Sequence, residues 1–345
     1  MTLDDQPGAG PEPVNIREIA RESGVSISTV SRVLQGNARV SDDLRAKVEE
    51  VVARMDYRPN FSARALRMQK SHTIGVVVPH IGNAHFSDAV RAIQDVAATE
   101  GYTTLIVNSD GEPARELAGL RTLEERQVDG IVLVSASATA SKALCAAMAR
   151  GMPVIAMDRA IRGVELDHVL VNTRAGTRSA VLHLAGTGRS RIAFMAGPSG
   201  MWTASEKLKG YMEGLKEAGL EFDPDLVLPG DYTFEGGEAQ AMALLDFKPR
   251  PDALIVANNL MTLGAMRVFL RHGLAIPGEL ALVGYDDAAW TDVVRPAISV
   301  VSQPTYALGA SSIRMMLARL ANRAAAPDRV VLETELIVRE SSRAA

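Results

Sequence analysis

One cysteine, few aromatic rings and no long apolar run mark this 345-residue chain. A lone Cys145 excludes an intrachain disulfide and any cysteine-rich zinc site, which suits a reducing compartment. Between Leu144 and Ala146 it reads as a plain buried thiol. Aromatics are 4% of the chain and apolar residues 47%, so the core must be built from Ala, Val, Leu, Ile and Met. No stretch approaches the ~18 apolar residues of a membrane span. Residues 1–13 are acidic and rich in Pro and Gly. They have neither the basic start nor the apolar run of a signal peptide, so they read as a disordered tail and the chain is expected in the cytoplasm.

Catalytic signatures are missing too. No G-x-G-x-x-G opens a helix after a strand; Gly186-Thr187-Gly188 ends a helix and lacks the third glycine. There is no Walker A sequence, no H-E-x-x-H and no G-x-S-x-G. The six histidines, at 72, 80, 85, 168, 183 and 272, have no metal-ligand spacing. Asp286-Asp287 is a carboxylate pair with no assignable base. No catalytic residue, metal or cofactor is therefore expected, and the chain does not read as an enzyme. A sugar-transport protein, the other rival, would need an export signal and no DNA-reading head.

Charge is modest overall, at −4, but unevenly placed. Between Val14 and Lys70 eleven Arg and Lys face seven acids, so the remainder carries the acidic excess. A basic head on an acidic body is what a protein needs when only its head meets phosphate.

Helical periodicity runs from Asn15 to Met55. In VNIREIARESGVSISTVSRVL, Asn15 and Glu18 have capping-box spacing, and Ile16, Ile19 and Ala20 form an apolar stripe. Gly24 falls at the tight turn, where a side chain would obstruct. Ser26 is placed to cap a second helix, with Val25, Val30 and Val33 facing inward. Ile27, Ser28, Thr29 and Arg32 face outward. They are short apart from one guanidinium, which suits a helix entering a major groove. A third helix over Ser41–Met55 would buttress the pair. On pattern alone, a three-helix surface bundle is the ordinary alternative.

From Thr73 the texture changes. Short β-branched runs at 74–78, 104–107, 130–134 and 154–157 alternate with helical segments such as Asp88–Glu100 and Ala114–Arg126. A second series has strands at 191–196, 253–257 and 280–284, with helices at 177–184, 206–218, 238–245 and 261–272. Buried strands alternating with helices predict parallel, doubly wound sheets. Two such lobes leave a cleft at the carboxyl ends of their strands.

The head segment, with Tyr57-Arg58-Pro59-Asn60 and Ala63-Arg64-Ala65-Leu66-Arg67, closely resembles the lactose-repressor (LacI/GalR) family of bacterial regulators. The resemblance continues through Thr73-Ile74-Gly75-Val76-Val77-Val78-Pro79, Val128-Asp129-Gly130-Ile131 and Gly284-Tyr285-Asp286-Asp287, as far as Glu335–Ser341. It covers about residues 14–342. It implies an α/β protein with a helix-turn-helix headpiece and two Rossmann-like lobes, similar to periplasmic binding proteins. It implies a DNA-binding repressor, a homodimer on a pseudo-palindromic operator, controlled by a small molecule such as a sugar.

The implied organisation is a helix-turn-helix domain over 14–59, a hinge helix and linker over 60–70, and an effector domain over 73–342. Its first lobe would be 73–171 with 302–325, and its second 172–301 with 326–342. Asn60 would contact DNA, and Leu66 matches the family's minor-groove wedge; an ordinary helix-core role is its alternative. In the cleft the resemblance places His85, Phe86, Arg159, Lys207, Tyr232, Asn258 and Asp286, with His85 and Phe86 stacking on a sugar ring. Five of them have a plainer reading: Phe86 and Tyr232 as core caps, Asp286 as a helix cap or charged turn, Arg159 and Lys207 as solvated charges. Departures from the family pattern at His80, Ala84-His85, Asn172-Thr173 and Asn259, together with the cations Arg159 and Lys207, make the cleft less negative. They admit an acidic or phosphorylated sugar.

Overall fold

The computed structural model describes residues 14–34, 40–57 and 70–343. The expected tail over 1–13, and Asn60 and Leu66 of the expected hinge helix, lie outside the described residues. The chain divides into two compact units that part between Ser71 and His72.

In the first unit, α1 (Ile16–Ser23), α2 (Ile27–Leu34) and α3 (Asp42–Arg54) enclose a small core of Ile19, Ala20, Val30, Val33, Val40, Val48 and Val51. Asn15 accepts from the backbone of Arg17 and Glu18, while the Glu18 carboxylate accepts from Asn15 N at 2.9 Å. This capping box satisfies donors that α1 itself leaves open. Gly24 ends α1 at φ 63°, in the left-handed region. The nearest atom to a Cβ built there would be Lys47 Nζ at 3.6 Å, an ordinary contact. The turn therefore selects glycine for its backbone angle, and crowding is not the reason. Ser26 Oγ accepts from Thr29 N at 3.1 Å and caps α2.

The second unit holds two six-stranded sheets. In the first lobe the order is β11-β5-β4-β3-β1-β2: β1 (Thr73–Val78), β2 (Thr103–Asn108), β3 (Gly130–Leu133), β4 (Val154–Asp158), β5 (Asp167–Val171) and β11 (Arg329–Leu332). All are parallel. One face packs Val76 and Val78 under α4 (Ala84–Thr99) and α11 (Thr305–Ala321). The other packs Val77 under α5 (Pro113–Glu125) and α6 (Lys142–Ala149). Neighbouring valines thus serve opposite faces, as the strand period of two requires.

The second lobe has the order β12-β10-β9-β8-β6-β7: β6 (Ile192–Met195), β7 (Val227–Leu228), β8 (Ala253–Val256), β9 (Ala281–Tyr285), β10 (Ser299–Ser302) and β12 (Glu335–Ile337). Only β12 is antiparallel. Its helices are α7 (Thr173–Gly186), α8 (Trp202–Glu217), α9 (Phe234–Leu245) and α10 (Asn259–Arg271). They pack in pairs, α7 on α8 and α9 on α10. Gly210 lets the first pair approach closely, because a Cβ there would collide with the Arg174 carbonyl.

Two expectations need correction. Residues 329–332 were expected in the second lobe, yet Arg329–Leu332 pairs in register with His168–Val171 and completes the first sheet. The chain crosses between lobes three times, and the last crossing lies between β11 and β12, later than the pattern implied. Cys145 is exposed. Helix α6 buries Leu144 and Ala147, and the intervening turn of about 100° per residue carries Cys145 outward. Among the described residues no helix is long and apolar enough to cross a membrane.

Candidate functional site

Two surfaces carry polar groups that packing does not require. On α2, Ile27, Ser28 and Arg32 are exposed and Thr29 is half-buried, while Val30 and Val33 hold the helix to its core. Ser26 Oγ lies 2.7 Å from Ser28 Oγ and 2.9 Å from Thr29 Oγ1. The hydroxyls at the start of α2 are thus held as a cluster, and Arg32 alone on the expected contact face carries a long donor fork.

The other surface is the cleft between the lobes. All seven residues expected there line one cavity of about 230 Å³. Strand ends put them there. Asp158 ends β4, Asp286 follows β9, and Asn258 caps α10 just beyond β8. Asn83 caps α4 by accepting from His85 N at 3.0 Å, so His85 and Phe86 stand in the first helical turn. Four non-glycine residues of the cavity adopt left-handed backbone angles: Asp110 at φ 51°, Asp158 at 67°, Tyr232 at 66° and Asp286 at 65°. Aspartate enters this region more readily than most residues, whereas the bulky Tyr232 is a strained exception there, and the gathering of the four around one cavity fits a functional region.

His85 does not simply stack on a ring face, as expected. Its Nε2 lies 3.4 Å from the Asp158 carboxylate and its Nδ1 3.5 Å from that of Asp286. Burial alone would lower its pKa, but the two carboxylates outweigh burial and raise it to about 10. Both ring nitrogens therefore carry protons at neutral pH. The contact to Asp286 is an ion pair across the cleft, since Nδ1 has no well-aligned hydrogen bond among the described residues. Burial opposes ionisation of Asp158 and Asp286 as well, yet His85 and Lys207 hold both pKa values below the usual carboxylate range. Asn259 makes a second bridge, donating to Asn83 at 3.0 Å and to Asp286 at 3.2 Å.

Lys207, on α8, donates to the Ala257 carbonyl at 2.7 Å and lies 3.9 Å from the centre of the Tyr285 ring. Burial lowers its pKa to about 8, with Asp286 and Asp158 pulling the other way. Arg159 donates from Nη1 to the Ser135 carbonyl at 2.9 Å and sits 5.9 Å from the Phe86 ring centre. Glu116 fixes that carbonyl's loop by accepting from Ser135 Oγ at 3.3 Å and Ala136 N at 2.5 Å. Asn258 has both side-chain groups committed: Oδ1 accepts from Met261 N and Nδ2 donates to the Tyr232 carbonyl, each at 2.9 Å. It positions Tyr232, whose ring lies over Gly197, where a Cβ would collide with it.

Asn83, Asp158 and Gln303 line the cavity without having been singled out. The cap spacing before Ala84 could have revealed Asn83; nothing in the sequence around Gln303 could. Asn172 is absent from the lining. It caps α7 and donates to Glu333 at 3.0 Å, tying two lobe crossings together. Asp287, beside Asp286, pairs with Arg339 at 2.8 Å and lies outside the cavity lining. Among the described residues no group of three His, Cys, Asp or Glu could hold a metal ion. Buried charges and amides between Phe86 and Tyr232 suit a polyol, whose hydroxyls donate and accept while its C–H faces pack on rings.

Residues 15–60 match the profile of bacterial regulatory proteins of the lacI family, and residues 71–340 that of periplasmic binding proteins and the sugar-binding domain of the LacI family. A catabolite control protein A of Priestia megaterium is 33% identical over 304 residues, which are 88% of this chain and 91% of that protein. A ribose operon repressor of Halalkalibacterium halodurans is 30% identical, covering 95% of this chain and 97% of its own. The lac repressor dimer bound to operator and an anti-inducer superposes with a TM-score of 0.86 at 28% identity, over 96% of this chain and 100% of the other. A CelR–cellobiose complex gives 0.73 at 30% identity, over 95% and 99%. Helix-turn-helix head and two-lobed body thus meet in one chain, which belongs to the LacI family of DNA-binding transcription regulators.

Proposed function

We propose that this chain is a cytoplasmic repressor that binds a pseudo-palindromic operator as a homodimer and changes its operator affinity when a sugar or sugar derivative occupies the cleft. The observation that carries the reading is the bridging of the cleft by His85 and Asn259, each joining groups of both lobes. A ligand among these groups must act on lobe closure, and it shifts that equilibrium by its differential affinity for the two arrangements. The exposed face of α2 reads bases, with Arg32 as the donor to guanine and Ile27, Ser28 and Thr29 fitting the groove.

Selection of bound duplexes from a random DNA library, using the full chain, tests the first half. A two-fold symmetric site is expected. Arg32→Ala should then weaken binding to it by ~1–3 kcal/mol and relax preference at one base position of each half-site. An equal loss on every single-base variant would make Arg32 a phosphate contact. Failure to enrich any site would remove the repressor reading.

A further inference from the structure

We propose that the effector is a sugar acid: a single monosaccharide unit, cyclic or open-chain, bearing one carboxylate, received by Arg159 and Lys207. This rests on the reading of the cleft as the effector site and narrows its ligand class.

The buried charges of the cavity do not balance. Asp158 and Asp286 are its buried anions, and His85, Arg159 and Lys207 its buried cations. His85 faces both carboxylates and is shared between them. Arg159 adds only a long approach to Asp158, 3.7 Å from Nε. Lys207 makes no ion pair among the described residues; its hydrogen bond goes to a neutral carbonyl. Among the groups that line the cavity one positive charge is left over; Glu116, buried outside the lining, spends its carboxylate on Ser135 Oγ and Ala136 N, and burial pushes it towards its neutral form against the pull of Arg159. The acids at the rim do not supply its partner. Asp110 is ion-paired to Arg115, and Asp231 is exposed and accepts from Thr233. His80, also at the rim, is held towards its neutral form by burial and by Arg159. Buried unpaired charge is unfavourable enough that an uncompensated cation in a ligand cavity marks the place of an anion.

Two orphaned atoms refine the assignment. Arg159 Nε is a buried donor without a hydrogen-bond partner among the described residues, and Gln303 Oε1 is a buried acceptor without one. The Gln303 amide is already oriented, since Nε2 donates to Asp286 at 2.6 Å. A carboxylate satisfies Nε but not Oε1. A hydroxyl satisfies Oε1. A hydroxy acid offers both, and Phe86 and Tyr232 give its C–H surface a wall. The cavity, about 230 Å³, falls below the roughly 300 Å³ at which drug-sized pockets begin, which limits the ligand to about one monosaccharide unit. A phosphate monoester carries about −1.5 to −2 at neutral pH and would overshoot the single charge to be matched.

The test uses the full-length protein and matched sets: glucose, galactose, mannose and ribose, the corresponding aldonates, the uronates of the three hexoses, and the terminal phosphates of all four. Melting temperature is measured with each. An aldonate or uronate should raise it by several degrees where the parent sugar does not. Arg159→Gln and Lys207→Gln should each weaken that binding by about tenfold or more, with Lys207→Arg retaining most of it. Operator binding of the variants checks their folding. A neutral sugar that stabilises while its acids are inert overturns the carboxylate and leaves the sugar-controlled reading standing. A sugar phosphate acting alone does the same. Acid binding that survives both Gln substitutions places the carboxylate elsewhere and overturns the assignment. No stabilisation by any member of the panel counts against the sugar-controlled reading itself.

Discussion

His85 joins carboxylates of different lobes, so its proton is a structural element. Its folded pKa, about 10, lies above the ordinary histidine value of 6.5. A group raised in this way contributes stability that is complete below the unfolded value and is lost as pH rises through the folded one. Lys207 acts in the opposite sense. Its folded pKa of about 8 lies below 10.5, so the folded state sheds a proton that the unfolded chain keeps, and stability returns above pH 8. Stability should therefore fall between about pH 6.5 and 8, by at most about 1.4 kcal/mol per unit, and level off between 8 and 10 where the two effects oppose. Urea unfolding at a series of pH values measures the slope. In His85→Asn the fall should vanish; its persistence would mean that another group carries the linkage. That His85 belongs to the cleft was legible from the family pattern. Its role was not, because the carboxylates that define it lie 73 and 201 positions further along the chain and meet it only through the fold.

At the scale of elements, the sequence is informative wherever a structure is made locally. The capping box of α1, the glycine turn and the serine cap of α2 are all written within a few residues. The buried strands β1, β3, β4, β6, β8 and β9 announce themselves as apolar runs because both faces are covered. The strands that escaped are β5, β7, β10, β11 and β12; β5 and β10 are buried inside their sheets, but Asp167 and His168 interrupt the apolar run of the first and Ser299 and Ser302 bound that of the second, and β7 has two residues. β11 is an edge strand with alternating exposure, and β12 has three residues, so neither carries a continuous apolar signal. Helices α4, α7 and α10 start earlier than their apolar period suggests, each at an asparagine: Asn83, Asn172 and Asn258. The caps of the head make a direct prediction. Asn15→Ala removes the bonds its side chain accepts from Arg17 N and Glu18 N while leaving its backbone N–H to the Glu18 carboxylate, and Gly24→Ala forces a Cβ into the left-handed region. Each should destabilise α1 and α2 by ~1 kcal/mol. Amide exchange in these helices should speed up about fivefold in each variant, with the sheets of the body unchanged. Unaltered exchange would show that tertiary packing alone holds α1.

For the whole molecule, the decisive quantity is the free energy that couples cleft to operator. The lobes are joined by three chain crossings, and hydrogen bonds engage each of them. Asn172 holds Glu333, and Gln303 holds Asp286. His85 and Asn259 add bridges that a ligand must rearrange or reinforce. A small molecule selects between lobe arrangements to the extent that it favours one set of these contacts over another. The coupling obeys reciprocity: if a bound effector changes operator affinity by a given factor, bound operator must change effector affinity by the same factor. Typical couplings of ~1–3 kcal/mol correspond to about 5- to 150-fold. Calorimetric titration of effector into the free protein and into its operator complex measures that factor directly, whichever direction control runs. Asn259→Ala removes the amide that binds both lobes but leaves every cavity charge in place. It should reduce the factor while leaving operator affinity without effector within about threefold, since the residue bears on lobe closure and not on the DNA-reading face. Equal effector affinity in the two wild-type titrations would leave the cleft a binding site with no hold on the head.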